Sequence, residues 1–167
     1  DFALFIGVHP EDSFNTIITM NAVGILGRLL PNYLADRYFG CLNVFAPITI
    51  ITGVIVICWM AVDSYSGLTA FIVVCGIFAA GVQALFPASV AALTNDPRKA
   101  GTRIGMSFTV VSLGCAVGAP ISGALVGAMD GSFRYAQIFC GLVLILGGLS
   151  LGAARVAKTG LILRAKT

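Results

Sequence analysis

The sequence predicts an all-α protein that crosses a membrane several times. Of its 167 residues, 58% are hydrophobic and 10% are charged, and the mean hydropathy is +0.99. A soluble domain of this length could not bury so much apolar surface. The apolar residues form five stretches of about 20 residues, the length of a helix that spans a bilayer. One of them, residues 44–62 (VFAPITIITGVIVICWMAV), does not alternate in polarity as a membrane-spanning strand would. We therefore predict a polytopic bundle of transmembrane helices.

The five complete spans are predicted to follow one another with short connections. They cover residues 15–35, 42–62, 68–93, 104–128 and 133–153. Residues 1–8 end in the apolar run FALFIGV, and we interpret them as the end of a sixth helix whose beginning is missing. Neither the basic start nor the cleavage site of a signal peptide is present there. We therefore expect an incomplete chain, with a mature terminus that forms a short surface anchor as the alternative.

Basic residues predict which ends of the spans face the cytoplasm. Eight Lys and Arg residues follow the first, third and fifth spans, whereas Arg134 is the only basic residue in the opposite loops. Short basic loops stay on the cytoplasmic side of a membrane. This bias predicts a cytoplasmic C-terminal tail, residues 154–167, and explains the net charge of +3 without nucleic acid as a partner. The plasma membrane is favoured over an internal membrane.

The first span carries the most informative residue, Arg28. A guanidinium at membrane depth is costly, and seven residues from the helix end it lies roughly 10 Å deep. Its planar fork suits a carboxylate, which predicts binding of an anionic organic solute. Asn21 lies seven residues earlier and so on nearly the same face. The alternative is that Arg28 pairs with helix-end carbonyls or with Asp36 and latches a cytoplasmic gate.

The third and fourth spans contain further candidates. Gln83 is a mid-span amide that needs hydrogen-bond partners, and we predict that it lines the solute path. The hydroxyls of the fourth span are instead expected to bond back to their own helix. Four glycines and prolines of that span, with Pro87 of the third, predict close packing or bending of the helices: Gly114, Gly118, Pro120 and Gly123.

Other chemistry has little support in the sequence. The five cysteines show no Cys-x-x-Cys spacing, and the single histidine, His9, lies in a predicted outer loop. We therefore predict no metal site. No nucleophile with a base and no nucleotide-binding motif is present. We expect that the protein is not an enzyme and uses no cofactor, and that its partners are the lipid bilayer and a small solute.

Two motifs carry a resemblance to a known family. Residues 27–40, GRLLPNYLADRYFG, resemble the signature between the eighth and ninth helices of the major facilitator superfamily, in particular the fungal members of its monocarboxylate-transporter-like branch. The runs GTRIGMSF (residues 101–108) and GAPISG (residues 118–123) are similar to the eleventh helix of that branch. The resemblance implies that the five spans correspond to helices eight to twelve, an incomplete C-terminal half of the family's fold. The N-terminal half of the transporter would then be a missing partner.

The resemblance also implies a gating motif made of Gly27, Asp36, Arg37 and Gly40, in which Gly40 permits the turn. The chain departs from the family pattern in two places. Gly24 stands where animal monocarboxylate carriers have an aspartate one turn before the arginine, so lactate-type proton symport is not predicted. The glycine of the motif is followed by Cys41 rather than by more basic residues.

Two functions follow from these expectations. The first is secondary active transport of a small organic, anionic and monocarboxylate-like solute by alternating access. The alternative is a non-transporting membrane fragment, or a half-transporter that needs a partner polypeptide.

Overall fold

The computed structural model describes residues 10–62, 64–94, 96–128 and 131–159. The predicted helix end at residues 1–8 and the last part of the predicted tail lie outside the described residues. The described residues form five α-helices in chain order, which are α1 Pro10–Leu34, α2 Cys41–Cys58, α3 Tyr65–Ala92, α4 Ala100–Ala128 and α5 Arg134–Thr159. A π-helical turn, Ala35–Phe39, links α1 to α2, and a 3-10 turn, Trp59–Ala61, ends α2.

Each helix contains most of one predicted span, which confirms the helical, multi-pass architecture. Within the described part of the chain, four helical segments are long and apolar enough to cross a membrane: Cys41–Ala61, Tyr65–Ala92, Ala100–Ala128 and Arg134–Ala157. Helix α1 is not among them, because Asn15, Asn21, Arg28 and Asn32 lower its hydropathy. The count of five spans therefore stays a prediction.

Helix α5 extends beyond the predicted span end at residue 153. The added residues 154–159, ARVAKT, are mostly good helix formers, so the helix continues after the apolar stretch has ended. The first part of the predicted cytoplasmic tail is thus helical. Hydropathy locates the apolar segment of a helix rather than its end.

The helices do not pair in chain order. The most extensive contacts join α2 to α5 and α1 to α3, followed by α2 to α3. One buried cluster connects the π-helical turn, α2 and α3 through Ala35, Phe45 and Leu85, and the Leu85 side chain is fully buried. This cluster fixes the end of α1 against the neighbouring two helices.

Helix α4 is the least packed element. None of its described residues is buried, and a Cβ atom added at Gly114, Gly118 or Gly123 would meet no atom within 4 Å. Its recorded contacts include an edge-on approach of Phe108 to Phe86 of α3, with ring centroids 5.4 Å apart. Close packing of the α4 glycines is therefore not made by the described part of the chain, and stays a prediction about other segments.

Prolines occur inside four of the helices. The helical assignment continues through each of them: Pro31 in α1, Pro47 in α2, Pro87 in α3 and Pro120 in α4. A proline inside a helix removes one backbone hydrogen bond and favours a bend. The bending roles of Pro87 and Pro120 stay predictions.

Candidate functional site

Small residues bring the backbones of α1 and α3 together and so position the Arg28 segment. A Cβ atom at Gly27 would overlap the backbone of Ile77, whose Cα would be 2.7 Å away. One turn further along, a Cβ atom at Gly81 would lie 3.0 Å from Pro31 Cγ and 3.1 Å from Gly27 O. Small residues at such spacings allow close helix approach in a membrane. Gly27 of the predicted gating motif is therefore a packing residue at this contact.

Arg28 follows Gly27 directly, but its side chain is exposed. Among the described residues, no ion pair and no side-chain hydrogen bond to Arg28 is recorded, and its carbonyl oxygen accepts a hydrogen bond from Asn32 Nδ2 at 2.9 Å. The alternative pairing of Arg28 with Asp36 is not recorded either. Inside a membrane protein, a cation in this position needs water, an anion or another chain segment.

Asn21 and Gln83 were predicted to line the same path as Arg28. Both side chains are exposed, Asn21 on α1 and Gln83 on α3. The Asn21 Nδ2 donates to the carbonyl oxygen of Ile17 at 2.9 Å, so that part of its amide is satisfied by its own helix. The described residues show no hydrogen bond that joins Asn21, Arg28 and Gln83. Their common role stays a prediction.

The loop motif after α1 has an unusual backbone. Ala35–Phe39 form a π-helical turn, and Gly40 ends it with φ 82° and ψ 151°. The Gly40 amide donates to the carbonyl oxygen of Ala35 at 2.8 Å. Non-glycine residues essentially never adopt this conformation. The prediction that Gly40 permits the turn is consistent with this backbone.

The two charged residues of the loop motif are exposed. The Arg37 guanidinium carbon lies 5.8 Å from the centre of the Tyr33 ring and 5.9 Å from that of Tyr38. Both distances are within the range of cation–π attraction. Asp36, which precedes Arg37 in the same turn, is exposed as well. Asp36 therefore remains open to an external basic partner, which is what a charge-paired gate requires.

Sequence reasoning did not select Tyr33 and Tyr38. The spacing of four residues between Tyr33 and Arg37 was the available signal, because residues four apart lie on the same helix face. The adjacent Tyr38 gave no such signal.

The end of α5 lies beside this turn. A cavity of about 640 Å³ is lined by Tyr38 and Phe39 of the π-helical turn, by the start of α2 and by Arg155 of α5. The basic residues after α1 and within the last part of α5 therefore occupy the same end of the bundle. This common end agrees with the charge bias of the sequence, while its cytoplasmic orientation stays a prediction.

The hydroxyls of α4 behave as the sequence predicts. Ser107 donates to the carbonyl oxygen of Arg103, Thr109 to that of Gly105 and Ser112 to that of Thr109, at 2.8 to 3.1 Å. All three bonds are made within α4. The expectation of local bonding is confirmed, and these residues are not site candidates.

Sequence reasoning also did not select Gln137. This residue of α5 is 3% exposed, and its Oε1 has no hydrogen-bond partner among the described residues. The signal was present, because Gln137 is an amide within an apolar stretch, as Gln83 is. Sequence alone does not show which of two such amides becomes buried.

Comparison with known proteins adds independent findings. Residues 8–160 match the sequence profile of the Major Facilitator Superfamily. An MFS-type transporter of Gibberella zeae is 37% identical over 144 residues, which cover 86% of this chain and 32% of the relative. The aspyridones efflux protein apdF of Emericella nidulans is 35% identical over 155 residues, or 92% of this chain and 31% of the relative.

A third relative extends the match to nearly the whole chain. The agnestins efflux protein AgnL12 of Paecilomyces divaricatus is 29% identical over 165 residues, which cover 98% of this chain and 37% of the relative. The chain thus spans about a third of the length of the curated relatives it matches.

Proposed function

The chain belongs to the major facilitator superfamily, and from that premise we propose that it forms part of a secondary transporter that moves a small organic anion by alternating access. The proposed solute is monocarboxylate-like, and the proposed direction is efflux, because two of its relatives are named as efflux proteins. The similarity to transporters over most of the chain favours this function over a non-transporting fragment.

The observation that carries the proposal is that Arg28 is exposed and has no ion pair among the described residues. It is a cation on α1, a helix that packs mainly against α3 of a multi-pass membrane protein. A carboxylate can accept two parallel hydrogen bonds from a guanidinium, which gives both energy and orientation. Asn21 and Gln83 would supply neutral hydrogen-bonding groups to the rest of the solute.

The turn after α1 is proposed as part of the gate. Its support is the glycine-dependent backbone at Gly40 and the exposed charges of Asp36 and Arg37. In this proposal a basic group of an N-terminal transporter half pairs with Asp36 when the path is closed to the cytoplasm. The C-terminus lies in the cytoplasm and the plasma membrane is the proposed location.

Transport by reconstituted protein tests the proposal. The protein as the cell makes it is placed in proteoliposomes with labelled benzoate, butyrate and salicylate, and with their uncharged amides. We expect at least one carboxylate to be transported more than 10-fold faster than its amide. Equal rates for each acid and its amide, or no movement of any acid, would contradict an anionic solute.

Variants of Arg28 then test the residue. Arg28→Ala should lower carboxylate transport at least 10-fold, because one charge-assisted pair contributes about 1.5–3 kcal/mol. Arg28→Lys should also transport poorly if two parallel hydrogen bonds are needed. The matched control is Arg98→Ala, which removes an exposed arginine from the connection before α4. Normal transport by a folded Arg28→Ala protein would show that Arg28 does not bind the solute.

A further inference from the structure

A second cavity lies between α4, α5 and the 3-10 turn that ends α2. It is at the opposite end of the α2–α5 contact from the cavity that Arg155 lines. Its volume is about 380 Å³, and its wall includes Trp59, Ser122, Gln137 and Cys140. We call it the Gln137 cavity. It includes none of the residues proposed for solute binding or gating.

The side-chain amide of Gln137 indicates which hydrogen-bonding group a ligand of this cavity should carry. The residue is 3% exposed, and its Oε1 is buried without a hydrogen-bond partner among the described residues. A buried acceptor without a donor is unfavourable, and native proteins satisfy nearly all such groups. Because Gln137 lines the cavity, a ligand with a hydrogen-bond donor could satisfy this oxygen.

The rest of the wall is apolar or weakly polar. Among the lining residues that the structure describes, none is charged, and Ser122 Oγ already lies 3.7 Å from Cys140 Sγ. The Trp59 ring is held by stacking on Phe71, with centroids 5.2 Å apart and an angle of 16°. Such a wall favours a neutral ring compound over an ion.

The volume and position of the cavity further restrict the class of ligand that fits it. Small-molecule sites range over about 300–1,000 Å³, so this cavity suits a compact molecule. It lies where α2 ends and α5 begins, near the ends of candidate membrane spans rather than at their middle. At that level a ligand can keep a polar group near water and its rings in the apolar wall.

We propose that the Gln137 cavity binds a neutral ring compound that carries a hydroxyl, and that this hydroxyl donates to Gln137 Oε1. The same chemistry could come from a membrane sterol or from a phenol dissolved in water. Binding at this cavity does not depend on the proposed transport of anions, because it involves different residues and an uncharged ligand.

Equilibrium binding to the protein as the cell makes it, in lipid nanodiscs, tests the proposal. The probes are labelled 1-naphthol and 1-methoxynaphthalene, which have the same rings but differ in the donor. We expect 1-naphthol to bind roughly 3- to 10-fold more tightly, the effect of one hydrogen bond. Equal binding of the two probes would overturn the proposal, because it indicates partition into apolar surface alone.

Variants of the lining residues test whether the probes bind in the Gln137 cavity. Gln137→Leu should remove the preference for 1-naphthol while 1-methoxynaphthalene binds as before. A side chain at Gly123 would enter open space at the cavity wall, so Gly123→Leu should lower the affinity for both probes at least 10-fold. Gly147→Leu is the matched control, since Gly147 is also in open space but outside the cavity wall. An unchanged preference in Gln137→Leu would overturn the role of the amide.

Nanodiscs with added cholesterol distinguish the two sources of ligand. Displacement of 1-naphthol by cholesterol, but not by cholesterol methyl ether, identifies a membrane sterol as the ligand. Retention of 1-naphthol at high cholesterol identifies a phenol from the water phase. Displacement by both sterols alike would overturn the requirement for a hydroxyl.

Discussion

Gly24 and Gly27 face the same neighbouring helix but differ in the space around them. A Cβ atom at Gly27 would overlap the Ile77 backbone, whereas one at Gly24 would lie 3.5 Å from Ala80 Cβ, an ordinary contact. The backbone atoms of a helix cannot move aside for an added Cβ atom, whereas the end of a flexible side chain can. The two positions therefore give a matched test of how closely α1 and α3 approach.

We expect Gly27→Ala to destabilise the protein by about 1–3 kcal/mol, the usual effect of overpacking. Gly24→Ala should change the free energy of unfolding by much less. Thermal unfolding in the same detergent, followed by the loss of the monodisperse protein, measures both variants. Equal melting temperatures for the two variants would contradict the close contact at Gly27.

Gly40 is constrained by its backbone rather than by its surroundings. Its φ of 82° with ψ of 151° is a conformation that glycine alone adopts readily. Gly40→Ala should therefore cost about 1–3 kcal/mol and alter the turn that carries Asp36 and Arg37. Gly101→Ala, at an open helical position, is the control. A melting temperature of Gly40→Ala equal to that of the control would contradict the strained backbone.

The sequence predicted the local structure of some single residues but not the burial of others. The turn at Gly40 follows a recognisable motif, and the local bonds of Ser107 and Thr109 follow from helix geometry alone. Gln83 and Gln137 carry the same signal in apolar stretches, yet Gln83 is exposed and Gln137 is buried. Burial depends on which helices meet, and that information is not contained in either stretch.

At the level of elements, α2 and α5 form the most extensive contact in the bundle. A Cβ atom at Gly148 would lie 2.5 Å from Ile50 Cγ1 and 3.2 Å from the carbonyl oxygen of Ala46. The adjacent Gly147 faces open space. Two neighbouring glycines of α5 thus have opposite environments.

We expect Gly148→Leu to separate α5 from α2 and to lower the yield of folded protein severalfold, because a large side chain cannot fit against backbone. Gly147→Leu should leave the yield close to that of the unaltered protein. Fluorescence-detected size-exclusion chromatography of tagged proteins measures both. Equal loss in the two variants would argue against the α2–α5 contact.

The existence of the helices was predictable, because long apolar stretches specify them. Their pairing was not, because small residues at spacings of three to five occur in several spans and are compatible with many partners. Helix α4 has such a series, yet its glycines meet nothing in the described residues. Gly27 of α1 and Gly148 of α5, by contrast, lie in tight contacts.

For the whole molecule, the basic residues after α1, before α4 and in the last part of α5 predict a single cytoplasmic end. Cysteine labelling tests it in a protein whose native cysteines are replaced by serine. Ser132→Cys should react with an impermeant maleimide in intact cells, whereas Thr102→Cys should react only after permeabilisation. The reverse pattern would show that the charge bias does not set the orientation.

The contact between α1 and α3 has a consequence for how the protein is made. Helix α1 leaves the ribosome before α2 and α3, with a guanidinium and several amides that partition poorly into lipid. The surface on which it packs belongs to α3, which begins only at Tyr65. We therefore expect stable insertion of α1 to wait until α3 has emerged, so that a chain truncated between the two should release α1 from the translocon into water.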